Sequence, residues 1–105
     1  MSKGVELIAA ERQRQIEVEG YDAKHDEDWV EGELAIAAAC YAVAGTEHIR
    51  VIEDNGVGHF DAWPFGGQYD KRQAHDEIRC LIIAGALIAA EIDRLRAEKA
   101  GNQND

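Results

Sequence analysis

Apolar residues recur at helical spacing in three stretches of this chain and lose that spacing between them. From about Lys3 to Glu19, Val5, Ile8, Ala9, Arg12 and Ile16 form a narrow stripe backed by charge, and Gly20 follows as a stop. Such a helix belongs on the outside of a bundle. A second helix is predicted from about Trp29 to Ala44. Its body, Leu34 to Ala44, is apolar nearly all round and rich in small side chains, so it is expected to be buried on more than one side. Asp28, with Glu31 three residues on, reads as its N-cap and capping box. The third helix is predicted from about Arg72 to Lys99. Ile78, Leu81, Ile82, Ala84, Leu87, Ile88, Ile92 and Leu95 cover more than one face until about Ala90, then narrow to a stripe. At 1.5 Å per residue this helix is about 40 Å long, against a diameter of roughly 26 Å for a compact domain of this size.

Between the second and third helices the periodicity breaks. The segment from Thr46 to Lys71 holds Gly56, Gly58, Gly66, Gly67 and the only proline, Pro64. His48 to Ile52 either extends the second helix or forms a short strand, and Asp54-Asn55-Gly56 signals a turn. The aromatic run His59-Phe60-Asp61-Ala62-Trp63-Pro64-Phe65 argues for an ordered, irregular loop. The expectation is an all-α fold: a small bundle of three main helices with a long aromatic loop between the second and third. Residues 1–100 form a single helical domain, and 101–105 a disordered polar tail. Two helices apolar nearly all round exceed what one short chain can bury, so a homo-oligomer through the second and third helices is expected. The alternative is that the long loop folds back as cover.

Composition narrows the function. The chain has 105 residues, with 21 acids against 11 bases and a formal charge of −10. That balance disfavours binding to duplex nucleic acid or an anionic membrane, both of which call for clustered Lys and Arg. No basic-then-apolar leader is visible at the N-terminus, and no apolar run approaches the roughly 20 residues that span a bilayer. Cys40 and Cys80 each sit in an apolar run and read as buried thiols. A cytoplasmic location, in a bacterial host, is the expectation.

Three constellations carry candidate chemistry. His25-Asp26, with Glu27, Asp28, Glu31 and Glu33, is either a solvated capping region or a carboxylate cluster for a hard cation such as Mg²⁺. Glu11, Glu33 and Glu91 lie on or beside apolar helix faces, where a carboxylate needs pairing. Arg12, Arg14 and Arg79 are candidate mates, giving interhelical salt bridges; the sharper reading is a shared metal or polar-ligand site between helices. The aromatic loop, with Tyr69, Lys71 and Arg72 behind it, suits a nucleobase and its phosphate, or it plugs the end of the bundle. No nucleophile elbow, P-loop or dinucleotide-binding fingerprint occurs, and Gly66-Gly67 is too little for a phosphate cradle.

Taken together, Ile8-Ala9-Ala10-Glu11-Arg12-Gln13-Arg14-Gln15, Glu19-Gly20-Tyr21, His25-Asp26, Gly32-Glu33-Leu34-Ala35, Trp63-Pro64-Phe65 and Ala84-Gly85-Ala86-Leu87-Ile88 with Glu91-Ile92 and Arg94-Leu95 resemble a group of small phage and prophage proteins of uncharacterised function. The likeness spans most of residues 8 to 95, departs around His48 to His59, and implies a phage or prophage origin. A second, weaker likeness is to the all-α, MazG-like NTP pyrophosphohydrolases, which are oligomeric and hold Mg²⁺ through ExxE and ExxD motifs. Here Glu31 and Glu33 are two apart, and Glu91 is followed by Asp93.

Three functional expectations follow. The first is a non-catalytic helical module, without a cofactor, that binds a nucleotide-like small molecule or a host protein. Its ligand-binding residues would be His25, Asp26, Tyr41, Trp63, Phe65, Lys71 and Arg79. The second is a Mg²⁺-dependent nucleotide pyrophosphohydrolase in which Glu11, Glu33 and Glu91 hold the metal. A structural or protein-interaction subunit is the third and blandest reading.

Overall fold

The computed structural model describes residues 1–20, 32–44, 63–65 and 67–103. Three α-helices account for most of these: α1 (Lys3–Glu17), α2 (Glu33–Val43) and α3 (Glu77–Gln103). Two short 3-10 turns, Gly67–Tyr69 and Arg72–Ala74, precede α3. No strand occurs among the described residues, so the all-α expectation holds there. His25, Asp26, Asp28, Trp29 and the segment from His48 to Ala62 lie outside them.

Each helix starts for a local reason. At α1 the Ser2 hydroxyl accepts the Val5 N–H at 3.2 Å, and Glu6 adds an acid to the first turn. The α1 helix stops at Glu17, a little short of the predicted end, and Gly20 follows in the left-handed region at φ +75°. At α2 the sequence placed the start near Trp29. The helix instead begins at Glu33, because Gly32 takes φ +88° and its carbonyl accepts the first helical hydrogen bond, from Ile36 N–H at 2.9 Å. Only glycine adopts that backbone without strain.

At α3 the predicted start also moves. Arg72–Ala74 close as a 3-10 turn, and Asp76 caps the helix, its carboxylate accepting the Arg79 N–H at 2.8 Å. The far end runs to Gln103, through Gly101 and into the stretch read as a disordered tail. One glycine costs a helix about 1 kcal/mol, too little by itself to end it.

The long helix is the shared partner: α2 packs on it most extensively, and α1 packs on it as well. Leu34, Ala37, Ala38 and Tyr41 of α2 meet Cys80, Ile83, Ala84, Leu87 and Ala90 of α3. Both sets recur at three- and four-residue spacing, so each helix presents one face to the other. The alanines keep side chains short where the backbones approach. Trp63 and Phe65 pack on this core as partly buried neighbours.

The face that α1 buries overlaps the predicted stripe at Ile8 and Arg12 and departs from it at Val5 and Ala9. Val5 is 49% exposed, whereas Glu11, Arg12 and Gln15 are buried. Charged residues occupy the inner face because partners for them stand on α3 and along α1 itself. Glu11 pairs with Arg79, and Arg12 Nη2 with Asp93 Oδ2 at 3.4 Å. Adjacent residues of α1 thus reach positions on α3 that lie about 21 Å apart along its axis. Gly85 lies between those positions: a Cβ built there would come within 2.6 Å of Ile8 Cδ1. The α1 helix therefore rests on the one residue of that stretch that has no side chain.

Candidate functional site

Two polar constellations stand out on this frame. The first lies where Trp63-Pro64-Phe65 and residues 70–72 meet the end of α2. Tyr41 is buried in the core. Its ring meets Trp63 edge-on at a centroid distance of 5.7 Å, and Trp63 meets Phe65 in the same manner at 5.8 Å. Edge-to-face pairs of this kind add to the burial of the rings themselves. The Tyr41 hydroxyl accepts the Lys71 N–H at 3.3 Å. Burial raises the phenol above its ordinary range, and the Lys71 hydrogen bond opposes that rise in part.

The Arg72 guanidinium lies 5.2 Å from the Trp63 ring centre. Asp70 holds it there in a fork, accepting Arg72 Nε at 2.8 Å and Nη2 at 2.5 Å. The Asp70 carboxylate also accepts the Arg72 N–H at 3.1 Å, which closes the turn. These hydrogen bonds to Arg72 hold the Asp70 carboxyl below its ordinary range. The arrangement holds a planar cation over a half-buried indole, with Lys71 exposed beside it.

The second constellation is the ion cluster at the crossing of α1 and α3. Glu11 is 2% exposed. It accepts Arg14 Nε at 2.8 Å, Arg14 Nη2 at 3.0 Å and Gln15 Nε2 at 3.2 Å, and Arg79 from α3 completes the set. Burial pushes its carboxyl upward, but the Arg14 hydrogen bonds, the charges of Arg14 and Arg79, and the Gln15 amide outweigh burial and hold it below its ordinary value. The Arg14 guanidinium is raised in turn, chiefly by its hydrogen bond to Glu11. Farther along α3, Arg94 is buried and donates to Glu91 at 2.6 Å and Glu98 at 2.9 Å.

Of the residues predicted to bind a ligand, Tyr41, Trp63, Phe65 and Lys71 come together. Arg79 does not join them; it faces Glu11. His25 and Asp26 lie outside the described residues. The carboxylates of the metal reading go to separate partners within one chain: Glu11 to Arg14 and Arg79, and Glu91 to Arg94. Glu33 sits in the first turn of α2. Among the described residues no group of three His, Cys, Asp or Glu side chains is placed to hold a metal ion. Of the interhelical salt bridges offered by the sequence, Glu11–Arg79 forms; Arg12 pairs instead with Asp93, a partner the sequence reading did not name.

Asp70 escaped the sequence reading. The signal was an acid two residues before an arginine, a spacing that only a tight turn converts into a fork. Arg94 escaped as well, because an arginine on the narrow end of an amphipathic helix reads as solvated.

No described helix is long and apolar enough to cross a membrane. Comparison with protein-family models, with curated proteins and with solved structures finds no match. Fold and geometry thus define an all-α protein with an aromatic–cationic corner at the end of its core.

Proposed function

We propose that this chain is a phage- or prophage-type accessory protein, a non-catalytic helical module that takes a nucleotide-like ligand at the Trp63 corner. The observation that carries the reading is the Arg72 guanidinium held over the half-buried indole, with exposed Lys71 alongside. An indole face that accepts a guanidinium also suits a nucleobase, and Lys71 would meet the phosphate. The pairing of Glu11 and Glu91 with arginines supports a binding role over the hydrolase reading, since both carboxylates already have guanidinium partners.

The test is a thermal-shift screen with nucleoside mono-, di- and triphosphates, with and without Mg²⁺, paired with pyrophosphate detection. A Trp29→Phe variant leaves Trp63 as the only indole and reports ligand stacking by fluorescence. At a ligand concentration of 100 Kd the fold gains about 2.7 kcal/mol. The expected result is stabilisation with Trp63 quenching and no turnover, weakened in Lys71→Ala. Absence of stabilisation by every nucleotide overturns the reading. So does Mg²⁺-dependent pyrophosphate release that disappears in Glu33→Gln, which would establish the hydrolase instead.

A further inference from the structure

The long helix carries a second apolar face that the described residues leave exposed. Ile78, Leu81, Ile88, Ile92 and Leu95 are 67%, 48%, 50%, 52% and 47% exposed. Their spacings of three, seven, four and three are those of a heptad seam with Ile78 and Ile92 at a and Leu81, Ile88 and Leu95 at d. The missing a position between Leu81 and Ile88 is Gly85, where Ile8 of α1 sits. The residues that meet α2 occupy the c, f and g positions of the same helix, so the seam faces elsewhere. The stretch from Ile88 onward, beyond the contact of Ile8 with Gly85, is an uninterrupted d–a–d run, with Lys99 at the next a position and Arg12 of α1 reaching Asp93 at the b position beside it.

The residues beside this run are charged in complementary fashion. Glu91 occupies g and Arg96 the following e position, five residues later. In a parallel pair of helices, g of one chain faces that e position of the other. Glu91 Oε1 accepts Arg94 Nε at 2.6 Å, and Oε2 makes no hydrogen bond among the described residues. Arg96 is exposed and makes no ion pair among them either. An antiparallel pair would instead bring the g positions together, setting acid against acid.

The geometry points to a second copy of this chain as the occupant: two protomers pair their α3 helices in parallel about a two-fold axis, with Ile88, Ile92 and Leu95 as the seam and Glu91 of each facing Arg96 of the other. Ile92 at a with Leu95 at d suits two parallel strands, Ile88 at the other d position departs from that pattern, and a lone lysine at a also bears on register and strand number. This inference does not depend on the ligand reading.

The test is sedimentation of the full chain across micromolar concentrations, with far-UV circular dichroism as the folding control. The wild type is expected to be a dimer. Ile92→Glu is expected to sediment as a monomer with its helicity retained, since the side chain it replaces is half exposed. Arg96→Glu, at a fully solvated position, is expected to raise the dimer Kd about tenfold by replacing two attractive pairs with repulsive ones. Leu95→Cys is expected to form a covalent dimer under mild oxidation, because d positions meet across a parallel two-fold axis; the native thiols are buried and do not compete. A monomeric wild type, a dimer indifferent to both Ile92→Glu and Arg96→Glu, or a dimer whose Leu95→Cys form does not cross-link overturns the proposal.

Discussion

Replacing Gly85 with alanine sets two effects of known size against each other. In an open helix, alanine is better than glycine by about 1 kcal/mol. At Gly85 the new Cβ would lie 2.6 Å from Ile8 Cδ1, 2.8 Å from Cγ1 and 3.2 Å from Cγ2. Carbon atoms in good contact sit about 3.5–4.0 Å apart, so Ile8 must retreat by about an ångström. Its branched Cβ leaves little rotameric freedom on a helix, so α1 shifts with it. Overpacking of this kind costs about 1–3 kcal/mol. The net expectation for Gly85→Ala is a loss of roughly 0–2 kcal/mol.

The decisive comparison is with an Ile8→Ala background, where every clashing atom is gone. There the same substitution should stabilise by about 1 kcal/mol, giving a coupling energy of about 1–3 kcal/mol between the two sites. Urea unfolding of the four proteins measures it, and in thermal melts each kilocalorie corresponds to about 4–8 °C for a domain near this size. Stabilisation by Gly85→Ala in both backgrounds would refute the seating of α1 on Gly85.

Glu11→Gln should destabilise the fold by about 1–2 kcal/mol in urea, a figure reduced because Arg14 and Arg79 remain partly solvated; an unchanged midpoint would show that the cluster carries no net stability. The pH profile follows from the same groups. Glu11 and Asp70 have carboxyls held below their ordinary values of 4.5 and 3.8, so the unfolded chain takes up protons first. Their contribution is complete above that range and is lost as pH falls through the lower folded values, and Glu11→Gln should flatten this acid limb. A steeper limb in the variant would contradict the assignment. Cys40 and Cys80 are 0% and 2% exposed, and burial raises the Cys80 thiol above its ordinary range. A thiol reagent at neutral pH should therefore react with both only after unfolding by urea, and rapid labelling of the native protein would count against the core.

Much of the core was legible in the chain because its cause is local. Leu34, Ala37, Ala38 and Tyr41 share one helix face by spacing alone, as do Cys80, Ile83, Ala84, Leu87 and Ala90. Trp63 and Phe65 stood out in the sequence either as a plug for the bundle or as part of a ligand-binding loop, and they pack on the core as partly buried neighbours. The start of α2 was less legible: a capping pattern at Asp28 and Glu31 reads well in sequence, but the described helix opens at Gly32, whose left-handed backbone no side-chain pattern reveals. The inner face of α1 was legible in part: Ile8 and Arg12 do turn toward α3, and Arg79 was among the mates offered for Glu11. Amphipathic spacing alone did not fix which of those arginines reaches Glu11, or that Gln15 is buried beside it, because both depend on contact between residues as much as 68 positions apart.

The sequence by itself determined that this chain is helical, that α2 and α3 must be buried against something, and that an aromatic–cationic segment precedes the last helix. Those are consequences of periodicity and of side-chain chemistry within a few turns. Only the tertiary structure decided which face α1 turns inward, that Arg79 serves the Glu11 cluster and not the aromatic corner, and that Arg72 is the cation held over Trp63. It also decided which side of α3 the described residues leave exposed. Each of these depends on groups far apart in the chain meeting at a few ångströms, where pairing makes a buried charge tolerable and an absent side chain lets two helices touch.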